Sequence, residues 1–195
     1  MTRMRKGVGH RFLQTLGIPF VTFSGDDFEA FLIYSHEQGL DLIRKGHRSG
    51  RFDAKEAERL TNILLKSGIA STNAQVFESV AKFRVGSNPP PRFEFRACSC
   101  GHPLKHGYIH DRKNPSDGKL GPVFDLLNGL NACDVGVSSR FITVEEAVLL
   151  FQAMQKIGLA ESPATTLRDL QRVSDQDQLA VAMIELKRSH PELNF

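Results

Sequence analysis

Residues 86–96 read Gly-Ser-Asn-Pro-Pro-Pro-Arg-Phe-Glu-Phe-Arg, and they contain the clearest break in the chain. Three consecutive prolines do not fit a helix interior or a central strand, so we interpret Pro89–Pro91 as a stiff extended connector. The alternation of apolar and polar residues over 92–96 predicts a half-buried strand directly after the connector. The chain is therefore expected to change here from helices to a small β region.

Helical patterns dominate before this break. A short β-prone run at 18–23 predicts one strand. An acidic first turn and an imperfect apolar stripe then predict a helix from near Asp26, capped by Ser24, to about Lys45. The arm before these elements is rich in basic residues.

Two further helices are expected before the prolines. Asp53 is a good N-cap for the first of them, and Thr72 or Asn73 opens the second. Residues 53–84 therefore resemble the skeleton of a helix-turn-helix. In a DNA-binding version of that motif, Asn73 and Gln75 would lie near the start of the recognition helix.

The last third of the chain returns to helical patterning. A short helix is predicted at 123–130, and Thr143 opens a longer one that ends at Gly158. A short helix follows from Thr165 or Thr166, and the last one begins at Ser174. We identify no internal repeat in the sequence.

The expected fold class is α+β and helix-rich. N-terminal and C-terminal helical segments flank a small irregular β region at about 92–135, which a zinc ion would stabilise. We predict a basic N-terminal helical region at 1–86, and a second region at 92–195 that joins the Cys/His segment to the C-terminal helices. The alternative is a single domain over 1–195.

Composition excludes several classes of protein. With 195 residues, 41% of them hydrophobic, the chain is neither collagen-like nor wholly disordered, and it needs no disulfide or metal merely to fold. No run of about 18 apolar residues is present, so no membrane partner is expected. The odd number of cysteines and the lack of a secretory signal predict a cytoplasmic protein.

One segment carries the residue types of a metal site. Cys98 and Cys100 lie close to three histidines, and Cys133 lies farther along the chain. Zinc takes four nitrogen or sulfur ligands in a tetrahedron, so we predict a structural zinc site. The predicted ligands are Cys98, Cys100, His106 and Cys133, with His102 and His110 as alternatives for the histidine. The competing interpretation has no metal, with buried cysteines and surface histidines.

The same segment allows an enzyme. Between residues 98 and 133, a cysteine with a neighbouring histidine is a candidate thiol nucleophile, and a catalytic metal would make a hydrolase. No family signature frames either arrangement, so we assign no catalytic residue.

A basic cluster lies in the N-terminal half. The chain carries 25 Lys and Arg against 22 Asp and Glu, and the excess positive charge falls before residue 97. We interpret residues 44–51 as a glycine-flanked loop that contacts phosphates, assisted by an N-terminal arm at 3–11. A solvated helix end is the alternative. The candidate nucleic-acid-binding residues are Arg44, Lys45, Arg48 and Arg51, with Arg3, Arg5, Lys6 and Arg11 in the arm.

These observations favour a nucleic-acid-binding or regulatory accessory protein that contains a structural zinc site. The alternatives are an enzyme that uses segment 98–133, and a protein-interaction module whose C-terminal third offers an apolar groove or stripe to a protein partner. The sequence leaves these classes open.

Overall fold

The computed structural model describes residues 3–5, 10–25, 28–86, 90–100, 103–114, 119–172 and 176–189. The chain forms two compact units, Met1–Lys82 (unit 1) and Phe83–Phe195 (unit 2). The predicted regions 1–86 and 92–195, and the alternative of one domain, stay predictions, because compactness does not show that either unit folds alone.

Unit 1 combines a three-stranded antiparallel sheet, in the order β1-β2-β3, with helices. Its elements are β1 (Arg3–Arg5), α1 (Arg11–Thr15), β2 (Val21–Gly25), β3 (Phe28–Ile33), α2 (His36–Arg48), α3 (Ala54–Leu65) and α4 (Asn73–Lys82). The core cluster joins Val21 and Ile33 of the sheet to Ile43 of α2 and Leu60 of α3. Asp53 caps α3 by accepting a hydrogen bond from the Glu56 N–H at 2.7 Å, which confirms the predicted cap.

The helix predicted from near Asp26 is wrong in its first part. Residues Phe28–Ile33 form β3, which pairs with β2 so that Val21 lies opposite Ile33. The helix begins only at His36, where Ser35 is the N-cap and accepts from the Gln38 N–H at 3.1 Å. The apolar residues before His36 fit both the helical and the strand periodicity, and pairing with β2 selects the strand. Asp26 itself lies outside the described residues.

Unit 2 has a second three-stranded antiparallel sheet, in the order β4-β5-β6, followed by helices. Its elements are β4 (Phe93–Ala97), β5 (Gly107–Asp111), β6 (Lys119–Val123), α5 (Leu126–Ser138), α6 (Val144–Ile157), α7 (Pro163–Leu170) and α8 (Gln176–Ser189). The predicted strand after the prolines is confirmed as β4. The Thr143 capping box and the left-handed Gly158 at the end of α6 are confirmed as well.

Over the described residues, the fold is α+β and rich in helices, as expected. The region at 92–135 is not irregular, however. Its described residues include the three strands of the second sheet and most of the 13-residue α5, which is longer than the helix predicted at 123–130. α7 begins at Pro163 with Ser162 as its cap, earlier than predicted. Ser174, the predicted start of the last helix, lies outside the described residues.

The two units repeat one architecture, so the expectation of no internal repeat is wrong. Helices α2 and α5 have the same length, and each residue of α5 lies 90 positions after the corresponding residue of α2. The same offset relates two isolated parallel bridges, Ser35 with Ala70 and Asp125 with Ala160. In both units, these bridges connect the start of the first long helix to the segment just before the third.

Glycines inside α2 and α5 allow their close packing on the following helix. A Cβ on Gly39 would lie 2.6 Å from Leu64 Cδ2 of α3, and one on Gly129 would lie 2.5 Å from Met154 Sδ of α6. Such distances are shorter than any van der Waals contact. The helices of each pair therefore approach closely because neither glycine has a side chain.

Candidate metal centre and candidate nucleic-acid surface

The β4–β5 hairpin positions the candidate metal ligands. Its strands pair in regular register from Phe93 with Asp111 to Ala97 with Gly107. Beyond the last pair, the Cys98 N–H donates to the His106 carbonyl at 2.9 Å, which extends the ladder by one step. Cys98 and His106 therefore lie opposite each other at the end of the hairpin.

Cys98, Cys100 and His106 form one group. Their ligand atoms, two Sγ and a histidine nitrogen, all lie within 4.8 Å of one another. The Cys100 Sγ is 3.7 Å from His106 Nε2. His106 is buried, Cys98 is half-buried and Cys100 is exposed, so the group lies at the surface with its imidazole on the inner side. These three side chains can hold a metal ion.

The orientation of the His106 ring suits a ligand. Its Nδ1 lies 2.9 Å from the Leu104 carbonyl, which can only accept, so Nδ1 carries the proton and Nε2 keeps its lone pair for the cysteine side. The ring also contacts Phe124, with centroids 4.9 Å apart, and Tyr108 at 5.9 Å. Metal-bound histidines commonly donate their second nitrogen to a carbonyl in this way.

Cys133, the predicted fourth ligand, is not part of this group. It is fully buried on α5, and its thiol donates to the Ala147 carbonyl of α6 at 3.4 Å. Burial, assisted by the charge of Asp134, raises the pKa of the Cys133 thiol to about 12. Its repeat position in unit 1 holds the core residue Ile43, so the helix pairing keeps Cys133 in the core as a neutral thiol.

The two alternative histidines differ in placement. His102 lies outside the described residues. His110 lies on β5 opposite Glu94, four positions beyond His106, and it is not in the group. None of the three cysteines is part of a disulfide.

The basic residues at 44–51 form an exposed surface, but not on a loop. α2 continues through Arg48, so the predicted glycine-flanked loop is wrong. Gly46 is inside the helix, where a Cβ would lie 2.3 Å from the Phe52 ring. Lys45 forms an ion pair with Asp41 at 2.9 Å, and the Arg44 Nε donates to the Leu40 carbonyl. The basic surface comprises Arg44, Lys45, Arg48 and Arg51, all exposed.

The helix pair at 53–84 is present as α3 and α4, but its two candidate base-reading side chains form hydrogen bonds within the protein. Asn73 is buried, and its Oδ1 accepts from the Ser35 hydroxyl at 2.5 Å. The Gln75 Oε1 accepts from the Ser71 N–H at 2.9 Å and thereby caps α4. Asn73 is therefore buried away from any base, and the Gln75 oxygen serves as a helix cap, which weakens the helix-turn-helix interpretation.

The predicted N-terminal arm is described only in part. The backbone of β1 pairs with β2, with Arg3 opposite Ser24 and Arg5 opposite Thr22. Arg11 is exposed on α1, and Lys6 lies outside the described residues.

Unit 2 carries an apolar groove of about 350 Å³ beside α5. The most exposed apolar residues along it are Leu120, Val135 and Phe141. Phe141 packs against Phe93 with ring centroids 4.9 Å apart. An apolar groove is what the protein-interaction alternative requires.

No protein-family model, curated protein or solved structure matches this chain. No helix in the described ranges is both long enough and apolar enough to cross a bilayer.

Proposed function

We propose that Cys98, Cys100 and His106 bind a structural Zn²⁺ ion in a nucleic-acid-binding accessory protein. The observation that supports the metal most directly is the convergence of two thiols and one oriented imidazole at the end of one hairpin. The observation that supports nucleic acid is the basic surface of unit 1.

The donor set favours zinc. Thiolate and imidazole ligands suit Zn²⁺, whereas Mg²⁺ and Ca²⁺ prefer oxygen. Tetrahedral Zn²⁺ with ordinary bond lengths separates a sulfur ligand from a nitrogen ligand by roughly 3.6 Å. The Cys100–His106 separation of 3.7 Å is close to that value, so these two side chains need little movement to bind.

A structural role is favoured over a catalytic one. No carboxylate of the described residues belongs to the group, so a general base for metal-assisted hydrolysis is not provided there. Cys133 does not suit a nucleophile, because its pKa of about 12 keeps the thiol protonated at neutral pH. Three ligands leave one tetrahedral position for another donor.

Metal analysis tests the zinc proposal. The purified full chain is expected to bind one Zn²⁺, and its Co²⁺ form is expected to show the thiolate charge-transfer and d–d absorption of a tetrahedral sulfur site. Cys100→Ser should lose the metal without leaving a cavity in the core, because Cys100 is exposed. Cys133→Val is the matched control and should keep one ion. Absence of metal from the wild type, or equal loss in both variants, would contradict the proposal.

The basic surface of unit 1 supports nucleic-acid binding through a specific observation. At the positions 90 residues later, unit 2 carries Asp134, Val135, Ser138 and Phe141 in place of the four basic residues. Because unit 2 adopts the same helix without these charges, the repeat does not need them for folding. Positive charge that folding does not require is available to contact phosphates.

The salt dependence of DNA binding tests the proposed nucleic-acid surface. The wild type is expected to bind generic single-stranded or duplex DNA at low salt, and the logarithm of its binding constant should fall linearly with the logarithm of the salt concentration. With duplex DNA, Arg48→Ala with Arg51→Ala should lower the magnitude of that slope by about 1.8, or about 0.9 for each phosphate contact. Lys66→Ala with Lys82→Ala removes equal charge from another part of unit 1 and should change the slope less. No binding at low salt, or equal effects of the two double variants, would argue against this surface.

A further inference from the structure

We infer that metal binding at Cys98, Cys100 and His106 holds helices α7 and α8 in place on unit 2, so that metal occupancy controls the packing of the C-terminal helices. This inference rests on the proposed function and adds a consequence to the same site. It follows from two contacts that lead from the metal ligands to those helices.

The first contact joins the metal ligand to Leu104. The His106 Nδ1–H donates to the Leu104 carbonyl at 2.9 Å, two residues earlier in the hairpin loop. A metal ion on Nε2 fixes the ring, and the ring then fixes that carbonyl. The backbone at Leu104 is therefore positioned by the same imidazole that binds the ion.

The second contact joins Leu104 to the helices. Leu104 is 6% exposed and lies in a cluster with Phe124, Leu170 of α7 and Ala182 of α8. Phe124 is also the ring against which His106 packs. Further apolar residues that pack on this cluster are Leu167, Leu179 and Met183. The hairpin loop thus forms part of the surface that α7 and α8 cover.

Without a metal, this surface is expected to loosen. Leu104 lies between the end of β4 and the start of β5, outside both strands, so ordering its backbone costs conformational entropy. An ion bound at both ends of the loop removes that freedom. Because binding and packing then favour the same conformation, separation of α7 and α8 from Leu104 is linked to loss of the ion.

Amide hydrogen exchange on the full chain at several free Zn²⁺ concentrations tests this linkage. Exchange in α7 and α8 is expected to slow as free Zn²⁺ rises, by about 100-fold at 100 times the Kd if opening releases the ion. Helices α3 and α4 belong to unit 1 and are the internal control, so their exchange should not change.

Variants at Cys100 and Leu104 test metal binding and its coupling to α7 and α8 separately. Cys100→Ser should bind no zinc, and α7 and α8 should exchange rapidly at every Zn²⁺ concentration. Leu104→Ala should still bind one ion, yet the zinc dependence of exchange in α7 and α8 should disappear, and Leu104→Met should restore it. Zinc bound at one equivalent with unchanged exchange in the wild type would overturn the coupling and leave the zinc site standing. No zinc binding at all would overturn both.

Discussion

Units 1 and 2 share one helical frame but present different chemistry at the end of their first long helix. α2 ends among the exposed residues Arg48 and Arg51, whereas the equivalent end of α5 has Ser138 and Phe141. In both units the helix ends alike, with the Arg51 N–H or the Phe141 N–H donating to the glycine carbonyl five residues earlier. The backbone is therefore the same where the surface differs.

The difference between the ends of α2 and α5 indicates which positions the fold constrains. Inside the units, equivalent residues match in kind, as Leu60 matches Leu150 and Ala57 matches Ala147. At the exposed helix end, Lys45 and Arg51 of unit 1 correspond in sequence to the apolar residues Val135 and Phe141 of unit 2. Packing limits the residues inside the units, whereas the exposed residues are less constrained by packing. We therefore expect unit 1 to bind anions and the unit 2 groove to bind apolar groups.

The largest expected effect tests the shared frame. Gly46→Ala should destabilise the protein by about 1–3 kcal/mol, because its Cβ would lie 2.3 Å from the rigid Phe52 ring. Gly136→Ala is the matched variant, and its Cβ would lie 2.9 Å from the flexible end of Ile142, so a smaller loss is expected. Urea unfolding measures both. Equal losses would contradict the larger cost expected against the rigid Phe52 ring.

Exchanging the surfaces tests the functional difference. Lys45→Val with Arg51→Phe gives unit 1 the residues of unit 2 and should weaken DNA binding, lowering the salt slope by about 1.8. The reverse exchange, Val135→Lys with Phe141→Arg, should raise the affinity of the chain for DNA. Titrations at several salt concentrations measure both. If neither exchange changes DNA affinity, this helix end is not the nucleic-acid surface.

A smaller effect concerns the residue after each helix. Gly50 has φ +72°, and its equivalent Arg140 has φ +61°, a left-handed conformation that disfavours side chains other than glycine. Arg140→Gly is therefore expected to stabilise unit 2 by about 0.5–1 kcal/mol, and Gly50→Arg to destabilise unit 1 by a similar amount. Thermal unfolding of the two variants checks the signs, and the same sign in both would refute this interpretation.

The smallest effect is a pH dependence from unit 2. The Arg92 guanidinium, followed by the Lys113 N–H, holds the pKa of the Asp111 carboxyl below its usual value. A lowered pKa contributes stability that is present above the usual value and is lost as pH falls through the lowered one. Asp111→Asn should therefore flatten the acid side of the stability curve, measured in metal-free protein so that ligand protonation does not contribute. An unchanged curve would contradict a role for this pair.

Part of the fold and of the site could be predicted from neighbouring residues. Helix caps such as Asp53 and Thr143, and the stop at Gly158, act within one or two turns, so the local sequence contains the required partners. Cys98, Cys100 and His106 meet because one hairpin brings them together over nine residues. The repeat left a signal that could have been found, since glycines at 39, 46 and 68 recur 90 positions later.

What the sequence by itself determined was local: the caps, the strand after the prolines and the ligands that one hairpin brings together. The tertiary structure alone decided that residues 28–33 form a strand. Their apolar pattern fits a helix as well as a strand, and pairing with β2 selects the strand. The tertiary structure also decided that Cys133 packs against Ala147 and that Asn73 is bonded to Ser35. Those contacts join segments 14 and 38 residues apart, and long-range packing is not written in the spacing of neighbouring residues.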